Sequence, residues 1–137
     1  IAFSLTVIKN MEKYTIASHQ SSVKNIPAVS SEEYAYLANK GLSRIHKFIN
    51  SCENPENLKK ISKDLNRPLQ TVHRWCDYAQ LIDFQGIGAV NLLVLKKAGI
   101  ESILDLAKTN PEILLEKFKN NPPARVKLWI NEAKKLK

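Results

Sequence analysis

Cysteine is scarce in this sequence: Cys52 and Cys76 are the two it has in 137 residues, 24 positions apart and outside any Cys-x-x-Cys pair. That excludes a zinc signature and a framework of several disulfides, and it suits a reducing compartment, with a single bridge left open until geometry is known. Glycine and proline are sparse too, four and six, which excludes collagen-like and low-complexity chains. No apolar run is long enough to span a bilayer. Period-two alternation is missing beyond the first ten positions, so strands are not expected. The three histidines, His19, His46 and His73, stand 27 apart each time, without a His-x-x-x-His pair or an acidic set beside them. No metal centre and no cofactor are expected. Ser21-Ser22 lacks a nucleophile-elbow setting, and Gly86-Ile87-Gly88 is not a nucleotide-binding Gly-x-Gly-x-x-Gly after a strand. These absences point away from an enzyme and toward a binding or scaffolding module.

What the sequence does have is positive charge. Lysine and arginine number 21 against 13 acids, a formal +8, within an ordinary globular balance of 25% charged and 44% hydrophobic residues. The excess favours an acidic partner, a DNA or RNA backbone first. The length suits one domain, or two small ones sharing a core. Ile1 stands where an initiator methionine is expected, which implies either a removed leader, with an organelle as destination, or a trimmed chain. Ile1–Ile8 then reads as flanking sequence. An intracellular, reducing location is expected.

The chain repeats itself. At an offset of 58, Ile26-Pro27-Ala28-Val29-Ser30 falls on Phe84-Gln85-Gly86-Ile87-Gly88, Leu37 on Leu95, Gly41-Leu42 on Gly99-Ile100, and Ile45 on Ile103. At 56, Asn54-Pro55-Glu56 falls on Asn110-Pro111-Glu112; at 54, Pro68, Val72, Trp75 and Ala79 fall on Pro122, Val126, Trp129 and Ala133. Order is preserved and the offset shrinks at loops, as a duplicated unit requires. The units run over 22–80 and 81–137, behind an N-terminal arm or processed extension, 1–21. Segment 9–25 has no periodicity and reads as an extended arm or loop.

Each unit reads as four short helices: 31–40, 43–50, 55–64 and 68–83, then 88–98, 101–108, 111–119 and 123–136. Asn-Pro-Glu is a helix start, with a capping side chain, a proline at the first position and an acid at the positive dipole end. Gly41 and Gly99 follow apolar-periodic runs and supply the left-handed residue that ends a helix. Leu69, Val72, Trp75, Cys76 and Ala79 form one apolar face, and Val126, Trp129, Ile130 and Ala133 another. Trp75 and Trp129 are therefore core residues, and Cys76 is small buried filler. Of Tyr34 and Tyr36, two apart on one helix, one is expected to be exposed. His73 and Asp77 are expected to pair on a helix surface. The fold class is all-α.

Between the units, Gly86 and Gly88 flank Ile87 so that the backbone turns tightly while Ile87 plugs the core, leaving amides of a helix N-terminus outward, an arrangement able to hold a phosphate. This bend resembles the helix-hairpin-helix motif. With Trp75, Leu81, Phe84-Gln85-Gly86-Ile87-Gly88, Ala98-Gly99-Ile100, Asp105-Leu106-Ala107 and Asn110-Pro111, residues 26–136 resemble an uncharacterised domain-of-unknown-function family built from tandem units of that motif. The resemblance implies sequence-independent DNA binding through hairpin amides and a nearby lysine or arginine. The sequence departs from it where such hairpins carry a basic or hydroxyl residue: Ala89, Val90 and Asn91 stand there. In the first unit Ala28 and Ser30 replace the glycines, and Glu32-Glu33 open the next helix, where carboxylates repel a phosphate. The nucleic-acid site expected is Gly86, Ile87 and Gly88 with Lys96, Lys97, Lys127, Lys134 and Lys135, the last three from a stretch, 117–137, carrying a net +6. The rival reading is a protein-interaction or assembly subunit on the same fold.

Overall fold

The computed structural model describes residues 21–136, and among these no strand forms. Eight α-helices follow one another: α1 (Ser31–Asn39), α2 (Ile45–Cys52), α3 (Pro55–Leu65), α4 (Leu69–Asp83), α5 (Gly88–Lys97), α6 (Ile103–Ala107), α7 (Pro111–Lys117) and α8 (Pro123–Lys135). The all-α class and the order of the eight expected helices hold. Of the arm, residues 1–20 with Ile1–Ile8 and His19 lie outside the described residues. The rest of the expected extended segment is docked: Val23 is fully buried, its N–H donates to the Ser43 carbonyl at 2.9 Å, and Ile45 N–H donates to Ser21 at 3.1 Å.

The local chemistry recurs where the sequence repeats. Asn54 Oδ1 accepts from the Glu56 N–H and Asn110 Oδ1 from the Glu112 N–H, both at 2.9 Å, so the same cap opens α3 and α7. Gly41 and Gly99 take φ of 76° and 85°, and past them Leu42 and Ile100 N–H reach back to Leu37 and Leu95 carbonyls, each at 2.9 Å. This is a left-handed helix termination. A Cβ on either glycine would meet nothing within 4 Å, so backbone conformation alone demands glycine there.

Helix α4 packs against α2, α3, α5 and α6, while α8 packs against α6 and α7. Trp75 on α4 and Trp129 on α8 are buried at the centres of these groups, with Phe118 edge-on to Trp129 at 5.2 Å. The buried side chains of both halves form one continuous cluster.

Four expectations need correction. Leu69, at the first position of α4, is 37% exposed and stands outside the core, because the turn it opens faces water. Tyr34 and Tyr36 are both half-buried, Tyr36 donating to Asp64 Oδ2 at 2.6 Å, so neither is the exposed one. Asp77 takes Arg74 as its partner, at 3.3 Å, one residue closer along the helix than a pairing with His73. Cys76 is buried, but as half of a Cys52–Cys76 disulfide with the Cα atoms 6.1 Å apart. The packing of α2 on α4 supplies the geometry that a separation of 24 residues could not reveal.

Candidate nucleic-acid interface

The bend after α4 is a single 3-10 turn, Phe84–Gly86, that leads into α5. Gln85, Gly86 and Gly88 are left-handed, at φ 49°, 70° and 79°, and Ile87 between them is right-handed helical. Three left-handed residues in four reverse the chain within one turn; two being glycine removes most of the steric cost. Phe84 and Ile87 point into the core, 7% and 2% exposed, and anchor the bend from beneath. Gln85 is exposed and the glycines half-buried, so the bend lies at the surface. A Cβ on Gly88 would meet open space. The first N–H groups of α5 have no acceptor within their own helix. Asn91 Nδ2 donates to the Ile87 carbonyl at 2.9 Å, fixing the turn from the helix side.

A residue that sequence reasoning did not select completes the bend. Arg125, in the first turn of α8, donates from Nη2 to the Gly86 carbonyl at 3.1 Å and lies over the Trp129 ring, 5.6 Å from its centroid. Among the described residues it has no carboxylate at ion-pair distance. In the first half Arg67 makes the matching carbonyl and indole contacts. It reaches the Ala28 carbonyl at 3.5 Å and stands 5.9 Å from the Trp75 centroid. Ala28 holds φ 71°, matching the 70° of Gly86, although it is not glycine. The signal was there at the offset of 58, which sets Arg67 on Arg125 as it sets Ala28 on Gly86, but the local offset of 54 at the prolines masks it: Arg67 precedes Pro68 by one residue, and Arg125 follows Pro122 by three.

The expected lysines do not gather at the bend. Lys96 and Lys97 close the last turn of α5, about 12–14 Å along its axis from Gly88 at 1.5 Å per residue. On α8, Lys127 and Lys134 share an outer face nearly opposite Trp129, whereas Arg125 lies on the flank nearer Trp129, at 100° per residue. Lys127, Lys134 and Lys135 are exposed, and Lys135 is paired to Glu132 at 2.8 Å. The structure brings together Gly86, Ile87, Gly88 and Arg125; Lys96 and Lys97 stand at the far end of α5, and Lys127 and Lys134 on the outer face of α8.

Residues 27–136 match the model of a family described as a domain of unknown function (DUF4332). The chain belongs to this family. No curated protein and no solved structure matches it. Across the matched DUF4332 region, no helix among the described residues is long and apolar enough to cross a membrane, and no three metal-ligating side chains cluster.

Away from the bend, the DUF4332 fold holds a second polar group, where α4 meets the α5–α6 connection. Tyr78 donates to Glu101 Oε2 at 3.1 Å, and Arg74 stands between Asp77 and Glu101. Burial, reinforced by the Glu101 hydrogen bond, pushes the Tyr78 phenol up to about 12, and burial raises Asp77 above the ordinary carboxylate value against the pull of Arg74. A shallow cavity of about 210 Å³ opens beside Asp77, lined also by Ser102, Leu104 and Leu136. These contacts tie α4 to the neighbouring segment and involve no nucleophile–base pair.

Proposed function

We propose that this protein is a non-enzymatic module of two helix-hairpin-helix units, residues 22–80 and 81–137, which binds nucleic-acid phosphates without sequence specificity through its second hairpin. One observation carries the reading: the Arg125 guanidinium rests on the Gly86 carbonyl at 3.1 Å, beside the first turn of α5. A phosphate set there meets unsatisfied N–H groups, the positive end of the helix dipole and a fixed cation. Lys96, Lys97, Lys127, Lys134 and Lys135 add long-range attraction to the +8 chain rather than contacts at the bend.

Fluorescence anisotropy with labelled duplex and single-stranded DNA at two salt concentrations tests this. Saturable binding should weaken with salt, and Arg125→Ala should flatten the log–log salt slope by about 0.7–0.9, one phosphate contact. A bulky residue at Gly88 should weaken binding further. Salt-dependent binding that ignores both changes and vanishes when Lys134 and Lys135 are neutralised would reduce the interaction to general electrostatics.

A protein-docking surface is the second reading. Val90 is 78% and Leu93 51% exposed, three residues apart on α5 directly after the bend. Absence of DNA binding at low salt would favour it.

A further inference from the structure

The two hairpins differ in one respect that their common geometry makes legible. In the first, an anion is already in place. Glu33, on the opening turn of α1, is buried; its Oε1 accepts the Ser30 N–H at 2.9 Å, and its Oε2 stands 2.6 Å from Arg67 Nε. The carboxylate thus spans a helix N-terminal amide and the arginine that rests on the left-handed Ala28. At the matched place in the second hairpin stands Asn91, 58 residues on. Its amide turns to the Ile87 carbonyl, and Arg125 has no carboxylate near it among the described residues.

We infer that Glu33 is an internal plug: its carboxylate fills the first hairpin's oxyanion position and keeps phosphate out, so that the two hairpins differ by an occupant rather than by a lost scaffold. A carboxylate and a phosphate oxygen pair use the same partners, a backbone N–H as donor and a guanidinium as counter-charge. A carboxylate tethered three residues away acts as an intramolecular competitor at high effective concentration, so free phosphate loses. Its placement also costs the helix nothing, since Ser30 Oγ accepts the Glu33 N–H in return, at 3.1 Å. The inference concerns the first hairpin; only the contrast with an open second hairpin rests on the function proposed above.

The test is site-resolved. Isotope-labelled full chain is titrated with inorganic phosphate while the backbone amide resonances are followed. In the parent, Ser30–Glu32 should stay still. In Glu33→Asn, which installs the residue found at the matched position, these amides should shift saturably, with apparent affinity raised about tenfold or more, the scale of one charge-assisted contact no longer contested. Glu32→Gln removes the same charge from a neighbouring, exposed carboxylate and should leave them still. Glu33→Gln keeps an acceptor for Ser30 and serves if Glu33→Asn does not fold; it should act in the same direction. The inference is overturned if the Glu33 variants respond as Glu32→Gln does, or if phosphate already moves these amides in the parent. Shifts at Gly88–Val90 report separately. Their absence in the parent sinks the proposed function of the second hairpin, while a gained response at Ser30 leaves the plug standing.

Discussion

Ala28 and Gly86 adopt the same left-handed backbone, φ 71° and 70°, one with a side chain and one without. An L side chain in that region costs about 1–2 kcal/mol, and glycine returns part of the relief through the flexibility it adds to the unfolded chain. Ala28→Gly should therefore stabilise the protein by up to about 1 kcal/mol, and Gly86→Ala should destabilise it by a similar amount. A Cβ on Gly86 would sit 4.0 Å from Arg125 Nη2, an ordinary contact, so the loss would come from the backbone. Urea denaturation of the two variants should give opposite signs; equal signs would remove the argument. Tyr78 supplies a pH counterpart. Its phenol titrates near 10 when unfolded and at about 12 when folded. The folded state then holds the proton more tightly, so the stability this creates is complete below pH 10 and is lost as pH rises toward 12. Tyr78→Phe should flatten that stretch of the alkaline stability curve; an unchanged slope between parent and variant would mean the phenol is not linked to folding.

At the scale of helices, the paired caps set α3 and α7 at their starting points. Asn54→Ala and Asn110→Ala should each cost about 1 kcal/mol, read as a fall in thermal midpoint, because each leaves an opening N–H without its side-chain acceptor. These starts were legible in the sequence, since Asn-Pro-Glu does its work within three neighbouring residues. The glycine terminations and the buried tryptophan faces were legible for the same reason: a cap and a helical stripe are local. Arg67 and Arg125 were not. The offset of 58 that sets Ala28 on Gly86 also sets Arg67 on Arg125, but the tryptophans they cover match at 54, so the arginines fall out of register with the helices they stand on. Lys96, Lys97, Lys127, Lys134 and Lys135 show the reverse case, named from charge alone. Charge counted along a sequence ignores which way a helix face points, and α8 turns Arg125 toward the bend while turning Lys127 and Lys134 away. The Glu33–Arg67 pair, 34 residues apart, was visible in sequence only as an acid near a helix start.

For the whole molecule, the telling feature is that one core serves both halves while one staple serves the first. The buried cluster runs without a break from Val23 to Ala133, through α4 and its contacts with α5 and α6. The Cys52–Cys76 bond joins α2 to α4, and the matched helices α6 and α8 carry no cysteine. A closed loop of this size restricts the unfolded chain by about 3 kcal/mol in the chain-entropy account. Two independently folding halves would respond unequally to reduction: the first would lose that stabilisation and melt early, and the second would not notice. A shared core instead spreads the loss over the whole chain. Denaturation in the presence of dithiothreitol should accordingly show a single transition at a lower denaturant concentration, with Trp75 and Trp129 becoming exposed together. Cys76→Ala should show the same single, earlier transition without reductant, moved further still by whatever the lost side-chain packing costs. Tryptophan fluorescence of Trp75→Phe and Trp129→Phe variants separates the halves. If reduction moved the Trp75 signal and left the Trp129 signal in place, the two halves would be thermodynamically separate bodies and the common core would contribute no coupling.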